Sequence, residues 1–415
     1  MSEPEIDIEK PPIRSLKRTL TLPYIVLYGL GVTVGAGIYV LLGEVITRSG
    51  NFAPVSFVIA GLVMLFPAAC FAELTGRMPY AAAEAHFVGT GFKSPKLFLL
   101  VGLAVAIVGL ISSAAIAHGA VGYISQLLDW PITAILIMVI ISTGIISGVE
   151  IRNSIAMAGL LTIIEVGGLL AIVIGSMWAG NDLGAQAIKA VPTTMSPVLW
   201  SGIAASSLLA FFAFIGFEDI DSIAEETVNP QKTLSRGIFI TLFLTIIIYV
   251  AVILAALAAV PISDITGHKA PLAVVFEKTT AFSPLIITLI AIVATVNGII
   301  VQLIMSSRVF YGLANRGSLP KILARINSKT NTPIVATVFS IVLVLGLAIA
   351  FPINRLAEWT SAITLAIFVL VCAALIQIKK EDKAAPEGTF VVSVWVPYAG
   401  IAACTALLLA GLILG

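Results

Sequence analysis

Eleven apolar stretches, each long enough to cross a membrane as an α-helix, account for most of this chain. Crossing the hydrocarbon core takes about 20 mainly apolar residues in a helix. Because lipid offers no hydrogen bonds to the backbone, each stretch must satisfy its own N–H and C=O groups, which favours helices. The pattern therefore predicts an all-α integral membrane protein with about 11 transmembrane helices. The stretches run approximately over residues 22–43, 53–74, 97–127, 131–149, 154–178, 198–224, 237–260, 284–310, 333–352, 356–378 and 390–414.

The composition leaves too little charge for a water-exposed surface. Only 11% of the 415 residues are charged and 59% are hydrophobic, whereas soluble domains carry about 25% charged residues. The formal net charge is +1, and no basic run indicates nucleic acid. The three histidines form no HExxH motif, and there is no GxxxxGK(S/T) phosphate loop. We therefore expect neither an enzyme nor an ATP-driven pump, and no resident cofactor or metal site.

Lysine and arginine are distributed unequally between alternate connections. If the N-terminus lies inside, the inner connections hold 18 of the 23 lysines and arginines, and the outer connections hold five. Positive residues in short loops favour the cytoplasmic side. We therefore expect the protein in the cell membrane, with residues 1–20 as a cytoplasmic tail. An odd number of crossings would then put the C-terminus outside.

The first and sixth stretches have sequences that disfavour an unbroken helix. The first contains GVTVGAGIYV, residues 31–40, and each glycine costs about 1 kcal/mol relative to alanine inside a helix. The sixth contains FFAFIGFEDIDSIAEE, residues 211–226, in which the apolar run changes at Gly216 into an acidic segment. Interrupted helices at matching positions of two halves are typical of secondary transporters with inverted repeats. Close helix packing is the alternative explanation for glycines in a membrane helix.

The two interruptions lie five stretches apart and predict a five-plus-five inverted repeat in which helices 1 and 6 are broken. The ten-helix core would cover residues 21–380, with one repeat at about 21–180 and the other at about 197–380. Residues 390–415 would form an additional transmembrane helix.

Backbone groups at such interruptions can bind the two charged groups of an amino acid. Free N–H groups and the positive end of a helix dipole suit a carboxylate, and the Gly-Ala-Gly segment at residues 35–37 permits close approach. Carbonyl groups of a neighbouring unwound helix suit an ammonium group. Phenylalanines beside the sixth interruption either line or cover the pocket, or contact lipid or the protein core. The predicted pocket or gate residues are Phe212, Phe214, Gly216 and Phe217.

Three segments resemble one known family. GVTVGAGIYV is similar to the first-helix signature of the amino acid–polyamine–organocation superfamily of permeases. FFAFIGFEDIDSIAEETVNPQKTLSRGI resembles its sixth helix and following loop, and SRVFYGLANRGSLPKILARINSKTNTP resembles the loop after its eighth helix. The resemblance implies the leucine-transporter-type fold, alternating access, and amino-acid or related amine substrates. It also implies that the substrate carboxylate binds the backbone of Gly35, Ala36 and Gly37, and that the amino group binds the carbonyls of Thr33, Phe212 and Ile215.

Two acidic residues are candidates for coupling or pH sensing. Glu165 lies near the middle of the fifth stretch, where an unpaired charge costs at least about 2.5–3.5 kcal/mol. We interpret it as a residue that carries a proton or binds a cation; a structural glutamate, hydrogen-bonded to a neighbouring helix, is the alternative. Glu218 follows the expected turn and either senses pH or faces the cavity. The coupling ion would be a proton or Na⁺.

The sequence therefore predicts a secondary active transporter that moves amino acids by proton-coupled symport or exchange. A phenylalanine-rich pocket favours neutral amino acids, whereas the acids of the sixth stretch would attract a cationic amino acid or a polyamine. A polyamine lacks a carboxylate and would leave the amides of the first helix unpaired, which favours amino acids. The alternatives are a polyamine or cationic amine permease and a sodium-coupled symporter. The expected partners are the amino-acid substrate and the lipid bilayer, and the protein is a monomer or a homodimer.

Overall fold

The structure, a computed structural model, describes residues 18–78, 83–148, 155–327, 332–381 and 385–414. These residues form α-helices joined by turns, with one isolated β-bridge between Leu20 and Thr227. The first seven helices are α1 (Leu22–Ser49), α2 (Ala53–Arg77), α3 (Ala83–Gly91), α4 (Pro95–Ile124), α5 (Ile132–Ser147), α6 (Ile155–Trp178) and α7 (Leu183–Lys189). The next eight are α8 (Pro197–Phe212), α9 (Pro230–Ala259), α10 (Ile262–Ile265), α11 (Pro271–Thr279), α12 (Leu285–Asn315), α13 (Ile334–Ala350), α14 (Ile353–Lys380) and α15 (Trp395–Leu414). Three 3₁₀ segments are Gly50–Phe52, Phe217–Glu226 and Lys321–Ala324.

Each predicted membrane-spanning stretch coincides with a helix of the structure. Within the described residues, seven helical stretches are long and apolar enough to cross a bilayer, and one of them, Leu22–Arg77, contains both α1 and α2. Three shorter apolar helices bring the number of candidate crossings to the predicted eleven: Ile132–Ser147, Ile334–Ala350 and Trp395–Gly411. The prediction of an all-α, multi-pass membrane protein is confirmed. The repeat boundaries stay a prediction, and residues 1–17 of the expected tail lie outside the described residues.

The break predicted for the first span is wrong, because α1 is one continuous α-helix from Leu22 to Ser49. Its glycines instead allow other elements to pack against its backbone. A Cβ at Gly29 would lie 2.6 Å from the Thr241 Oγ1 of α9, and one at Gly37 would lie 2.6 Å from the Cα of Ala213. At Gly31 a Cβ would collide with Thr162 of α6. The packing explanation therefore accounts for the glycine-rich sequence of this helix.

The break predicted for the sixth span is confirmed. Helix α8 ends at Phe212, a turn follows over residues 213–216, and the chain continues as the 3₁₀ segment Phe217–Glu226. Gly216 has a φ of +123°, and a Cβ there would lie 2.9 Å from the carbonyl oxygen of Val32 in α1. Only glycine combines this backbone conformation with so close an approach. The 3₁₀ segment has ten residues, whereas 3₁₀ helices longer than about four residues are uncommon. A 3₁₀ stretch inside a helix often marks a hinge or a strained sequence.

The broken span lies at the centre of the helical bundle. Helix α1 contacts α6, α8, α9 and α12. Helix α4 contacts α12, α14 and α3. The turn after α8 packs against α1, where Gly216 lies next to Val32, and a cavity described below is lined by the turn and by α4, α12 and α14.

Candidate functional site

The predicted carboxylate-binding segment lies in the middle of α1. In a continuous α-helix the N–H of each residue donates to the carbonyl one turn earlier, so the amides of Gly35, Ala36 and Gly37 belong to the helix. Gly37 packs on Ala213, and the Cβ of Ala36 lies 3.1 Å from the position of a Cβ at Gly298 in α12. The predicted carboxylate-binding segment of α1 is therefore in direct contact with both the broken sixth span and α12.

The carbonyl of Thr33, predicted to bind the substrate amino group, already accepts a hydrogen bond from Tyr249. The Tyr249 hydroxyl lies 2.8 Å from the Thr33 oxygen and 2.8 Å from the carbonyl oxygen of Ala213. A hydroxyl has one proton to donate, so these two carbonyls converge on a single donor. The Phe212 carbonyl accepts the N–H of Ile215. The first and sixth spans therefore meet at one buried phenol group.

Sequence reasoning missed Tyr249. Its ring is fully buried and packs on Phe57 and Phe214, with centroids 5.6 and 5.2 Å away. The signal was a single tyrosine in the otherwise apolar run TIIIYVAVIL of the seventh span, because a buried tyrosine hydroxyl usually finds a hydrogen-bond partner.

The three phenylalanines around the break are all buried in the protein. Phe212 is 4% exposed, and Phe214 and Phe217 are fully buried. The ring of Phe217 packs on Phe71 and Phe368, with centroids 5.6 and 5.7 Å away. Lipid contact is therefore wrong for all three, and their role as a pocket lining or gate stays a prediction.

Glu165 lies on α6 beside the same segment of α1. Its side chain is 1% exposed, and neither carboxylate oxygen has a hydrogen-bond partner among the described residues. Its Oε2 lies 3.6 Å from the position of a Cβ at Gly35. Its backbone carbonyl accepts the hydroxyl of Tyr39 at 2.7 Å. The hydrogen bond that a structural glutamate would make to a neighbouring helix is not present among these residues.

A narrow cavity lies next to the broken span and is rich in oxygen atoms. Its apolar walls come from α4, α12 and α14, and Ile215 of the turn also lines it. Glu218 lines the cavity while its Oε2 accepts the N–H of Gly216 at 2.9 Å. Burial raises the pKa of Glu84 on α3, outside the spans. The polar residues of the lining are Glu84, Glu218, Asp219, Gln302 and Thr364.

Glu84, Gln302 and Thr364 were also missed by sequence reasoning. They lie on three different helices, α3, α12 and α14. Nothing in the local sequence around each of them indicates that they meet, because their proximity depends on how these helices pack.

The chain is similar to amino acid permeases. A family described as "Amino acid permease" matches residues 20–414. The protein named "Cationic amino acid transporter 4, vacuolar", from Arabidopsis thaliana, is 30% identical over 402 residues, which cover 88% of this chain and 64% of that protein. "Cationic amino acid transporter 2, vacuolar", from the same plant, is 29% identical over 387 residues, covering 87% of this chain and 60% of that protein. "Branched-chain amino acid permease BcaP", from Bacillus subtilis (strain 168), is 26% identical over 391 residues, covering 90% and 83%.

The chain thus spans less than two thirds of the length of the two plant relatives. The proteins it resembles are named as permeases and transporters and not as enzymes.

Proposed function

Since this chain belongs to the amino acid permease family, we propose that it moves amino acids across a membrane by alternating access, as a secondary active transporter. The observation that carries this proposal is the interruption of the sixth span at Gly216, packed against the backbone of α1. Irregular backbone at membrane depth persists only where it is buried in protein or lines a cavity. Transporters use such broken helices to bind substrate at the centre of the bilayer.

The proposed site for the amino-acid head lies between α1 and the turn after α8. The Thr33 and Ala213 carbonyls already converge on one hydrogen-bond donor, the hydroxyl of Tyr249, and a substrate ammonium group supplies donors of the same kind. Carboxylate binding by Gly35, Ala36 and Gly37 requires α1 to open there in another conformation. Glycines make this the least costly place to open the helix, by about 1 kcal/mol each relative to alanine.

Glu165 is the proposed coupling residue. A buried carboxylate without a partner is unfavourable, and either a proton or a cation would relieve that cost beside Gly35 of α1. We favour a proton, in symport or exchange, because protonation alone neutralises a single buried carboxylate without any further ligand. Sodium coupling through one carboxylate and backbone oxygens is the alternative.

The proposed location is the cell membrane, with the N-terminus in the cytoplasm and the C-terminus outside. The support is the excess of lysine and arginine in the inner connections. The two plant relatives carry the word vacuolar in their names, so an internal membrane is the alternative.

A thermal-shift screen of the purified protein tests the proposal first. The ligands are the twenty common amino acids, agmatine, putrescine and spermidine. A ligand that binds only the folded state stabilises it by about 2.7 kcal/mol at a hundredfold excess over its Kd. We expect stabilisation by a group of α-amino acids, and loss of that response in Ala36→Val, which adds bulk between α1 and α12.

The matched control is Gly346→Ala, where an added Cβ meets nothing within 4 Å. It should leave the response unchanged. Stabilisation by polyamines alone, or by none of the ligands, would overturn the proposed amino-acid transport.

A further inference from the structure

The connection between α12 and α13 carries positive charge that no acidic residue of the connection balances. Residues 316–333 contain four basic residues and no acidic one: Arg316, Lys321, Arg325 and Lys329. The nearest acidic residues along the chain are Glu277, exposed on α11, and Glu358 of α14. Lys321 and Arg325 are exposed, and neither makes an ion pair with any described residue. Their charges are therefore available to an anionic partner.

Part of this connection, the basic segment of residues 318–327, folds back against the ends of two membrane spans. Helix α12 is followed by Gly317, whose φ of +76° reverses the chain. The 3₁₀ helix Lys321–Ala324 then contacts both α12 and α13. Leu319 and Leu323 are half-buried and pack against the protein core. Because α12 and α13 are both candidate spans, these contacts hold the basic segment close to the membrane surface.

The basic segment also exposes two large apolar side chains. Ile322 is 55% exposed and Ile326 is 52% exposed. Each follows directly after a basic residue, Lys321 or Arg325, so basic and apolar side chains recur together at a spacing of four. Segments of this character lie in the membrane interface, with the apolar side chains among the acyl chains and the basic ones at the headgroups.

An anionic phospholipid matches both the charge and the apolar surface of this segment. A neutral lipid would cover the isoleucines and leave the positive charges unmatched, whereas a small soluble anion would do the reverse. Lysine and arginine can lay their apolar stems along the lipid while their charged ends reach the phosphates. The connection also lies on the side predicted to be cytoplasmic, where anionic lipids give the leaflet a negative surface potential.

We propose that the basic segment is a binding site for anionic phospholipids, with Lys321 and Arg325 at the headgroup phosphates and Ile322 and Ile326 among the acyl chains. This inference needs the membrane spans but not the proposed substrate or coupling ion. It can therefore stand or fall independently of the proposed amino-acid transport.

Backbone amide exchange of the full chain tests the site directly. The chain is placed in nanodiscs of phosphatidylcholine alone, or of equal parts phosphatidylcholine and phosphatidylglycerol. The amides of residues 318–327 should exchange more slowly in the anionic nanodiscs. The difference should disappear at high salt, because salt screens charges at an exposed surface. It should also disappear in the double variant Lys321→Gln with Arg325→Gln.

A titration of the detergent-solubilised protein with phosphatidylglycerol, followed by thermal shift, measures the affinity. Each basic side chain near an anionic surface contributes about fivefold, so the double variant Lys321→Gln with Arg325→Gln should raise the Kd about 25-fold. The matched control is Lys189→Gln with Lys278→Gln, which removes the same charge from exposed positions on α7 and α11. This control should keep the affinity of the unmodified protein.

The role of the isoleucines is tested with Ile322→Ser and Ile326→Ser together, which should weaken phosphatidylglycerol binding with all basic residues in place. Soluble glycerol phosphate, which has no acyl chains, should not slow exchange in the basic segment. If it does so as effectively as phosphatidylglycerol, the segment binds a simple anion and the lipid site is wrong.

Three other outcomes would also overturn the proposal. The first is equal exchange of residues 318–327 in neutral and anionic nanodiscs. The second is a difference that persists at high salt, a measurement on the unmodified protein that does not depend on whether any variant folds. The third is an equal loss of affinity in the two charge variants, which would show that phosphatidylglycerol responds to net charge and not to this segment.

Discussion

At the scale of single residues, the buried hydroxyl of Tyr249 joins the first span to the broken sixth span. The two carbonyls it reaches belong to Thr33 and Ala213, which are far apart in the sequence and adjacent in the fold. The hydroxyl takes no part in the packing of the ring, so its contribution to stability can be measured separately from that of the ring.

Tyr249→Phe should therefore lower stability while preserving the packing of the ring on Phe57 and Phe214. Loss of the hydroxyl leaves two buried carbonyls without this donor, and the expected cost is about 1 kcal/mol. The melting temperature in detergent measures it. Tyr24→Phe is the matched control, because Tyr24 is 51% exposed and should not change the melting temperature. An unchanged melting temperature for Tyr249→Phe would show that neither carbonyl depends on this hydroxyl.

Glu165 is the proposed coupling residue, and its role can be tested with a neutral side chain of the same shape. If its carboxyl group carries the coupled proton, Glu165→Gln mimics the protonated side chain permanently. Uptake should then lose its dependence on external pH, whereas the unmodified protein should take up substrate faster as the outside becomes more acidic. The measurement is initial uptake rate against external pH in proteoliposomes, with Glu277→Gln as the control. Unchanged pH dependence in Glu165→Gln would assign the proton to another group.

At the scale of elements, the connection between α14 and α15 is bound to the end of α2 by a buried ionic cluster. Glu73 has a fully buried side chain that lies 2.7 Å from Arg77 and 2.8 Å from the ammonium group of Lys379. It also accepts the N–H of Val392 at 2.8 Å. Lys379 donates in turn to the Val392 carbonyl at 2.7 Å. One carboxylate thus holds α2, α14 and the following connection together.

Glu73→Gln should be strongly destabilising, because it removes the negative charge that Arg77 and Lys379 share in a nearly buried position. Breaking a buried pair by removing one partner costs about 3–5 kcal/mol. The melting temperature should fall, and the connection around Val392 should be cut sooner by added protease. Lys93→Ala is the control, since its ion pair with Glu381 is largely exposed and such pairs contribute about 0–1 kcal/mol. Equal effects of the two variants would mean that the cluster does not anchor the connection.

Hydropathy was sufficient to locate the spans, because crossing lipid imposes a length and an apolar composition that few other structures require. The break at Gly216 was also predictable, since the acidic residues that follow it would be costly in an unbroken membrane helix. The glycines of α1 were ambiguous. Whether they open the helix or admit a neighbour depends on Thr241, Thr162 and Ala213, which lie on other elements. Local sequence could not decide that.

The candidate site shows the same division. The head-group segment and the phenylalanines follow from local sequence, but the cavity does not. The polar lining comes from three separate helices, which hold Glu84, Gln302 and Thr364. The helix that holds Glu84 is short and lies between two spans, and hydropathy does not identify it. Their meeting is a property of the packing alone.

At the scale of the whole molecule, α1 is held in contact with α12 and with the turn after α8, between which the proposed substrate would pass. Ala36 packs directly on Gly298 of α12, and Gly37 packs on the turn after α8. If transport works by alternating access, α1 and α12 must separate in each cycle. A covalent bond between them should therefore stop transport without unfolding the protein.

The double variant Ala36→Cys with Gly298→Cys tests this. The two Cβ atoms would lie 3.1 Å apart, slightly closer than the ~3.5–4.5 Å usual in a disulfide, so a small shift of the helices permits the bond. The natural cysteines Cys70, Cys372 and Cys404 are free and buried and are first replaced by alanine. Oxidation should abolish substrate uptake in proteoliposomes, and a reducing agent should restore it.

Each single cysteine variant, oxidised and reduced in the same way, controls for direct effects of the thiol on the proposed head-group site, and only the double variant should regain uptake on reduction. Full uptake in a double variant shown by mass spectrometry to be cross-linked would mean that substrate passes without separation of α1 from α12. The pathway would then have to lie elsewhere in the bundle, and the proposed separation of α1 from α12 would be wrong.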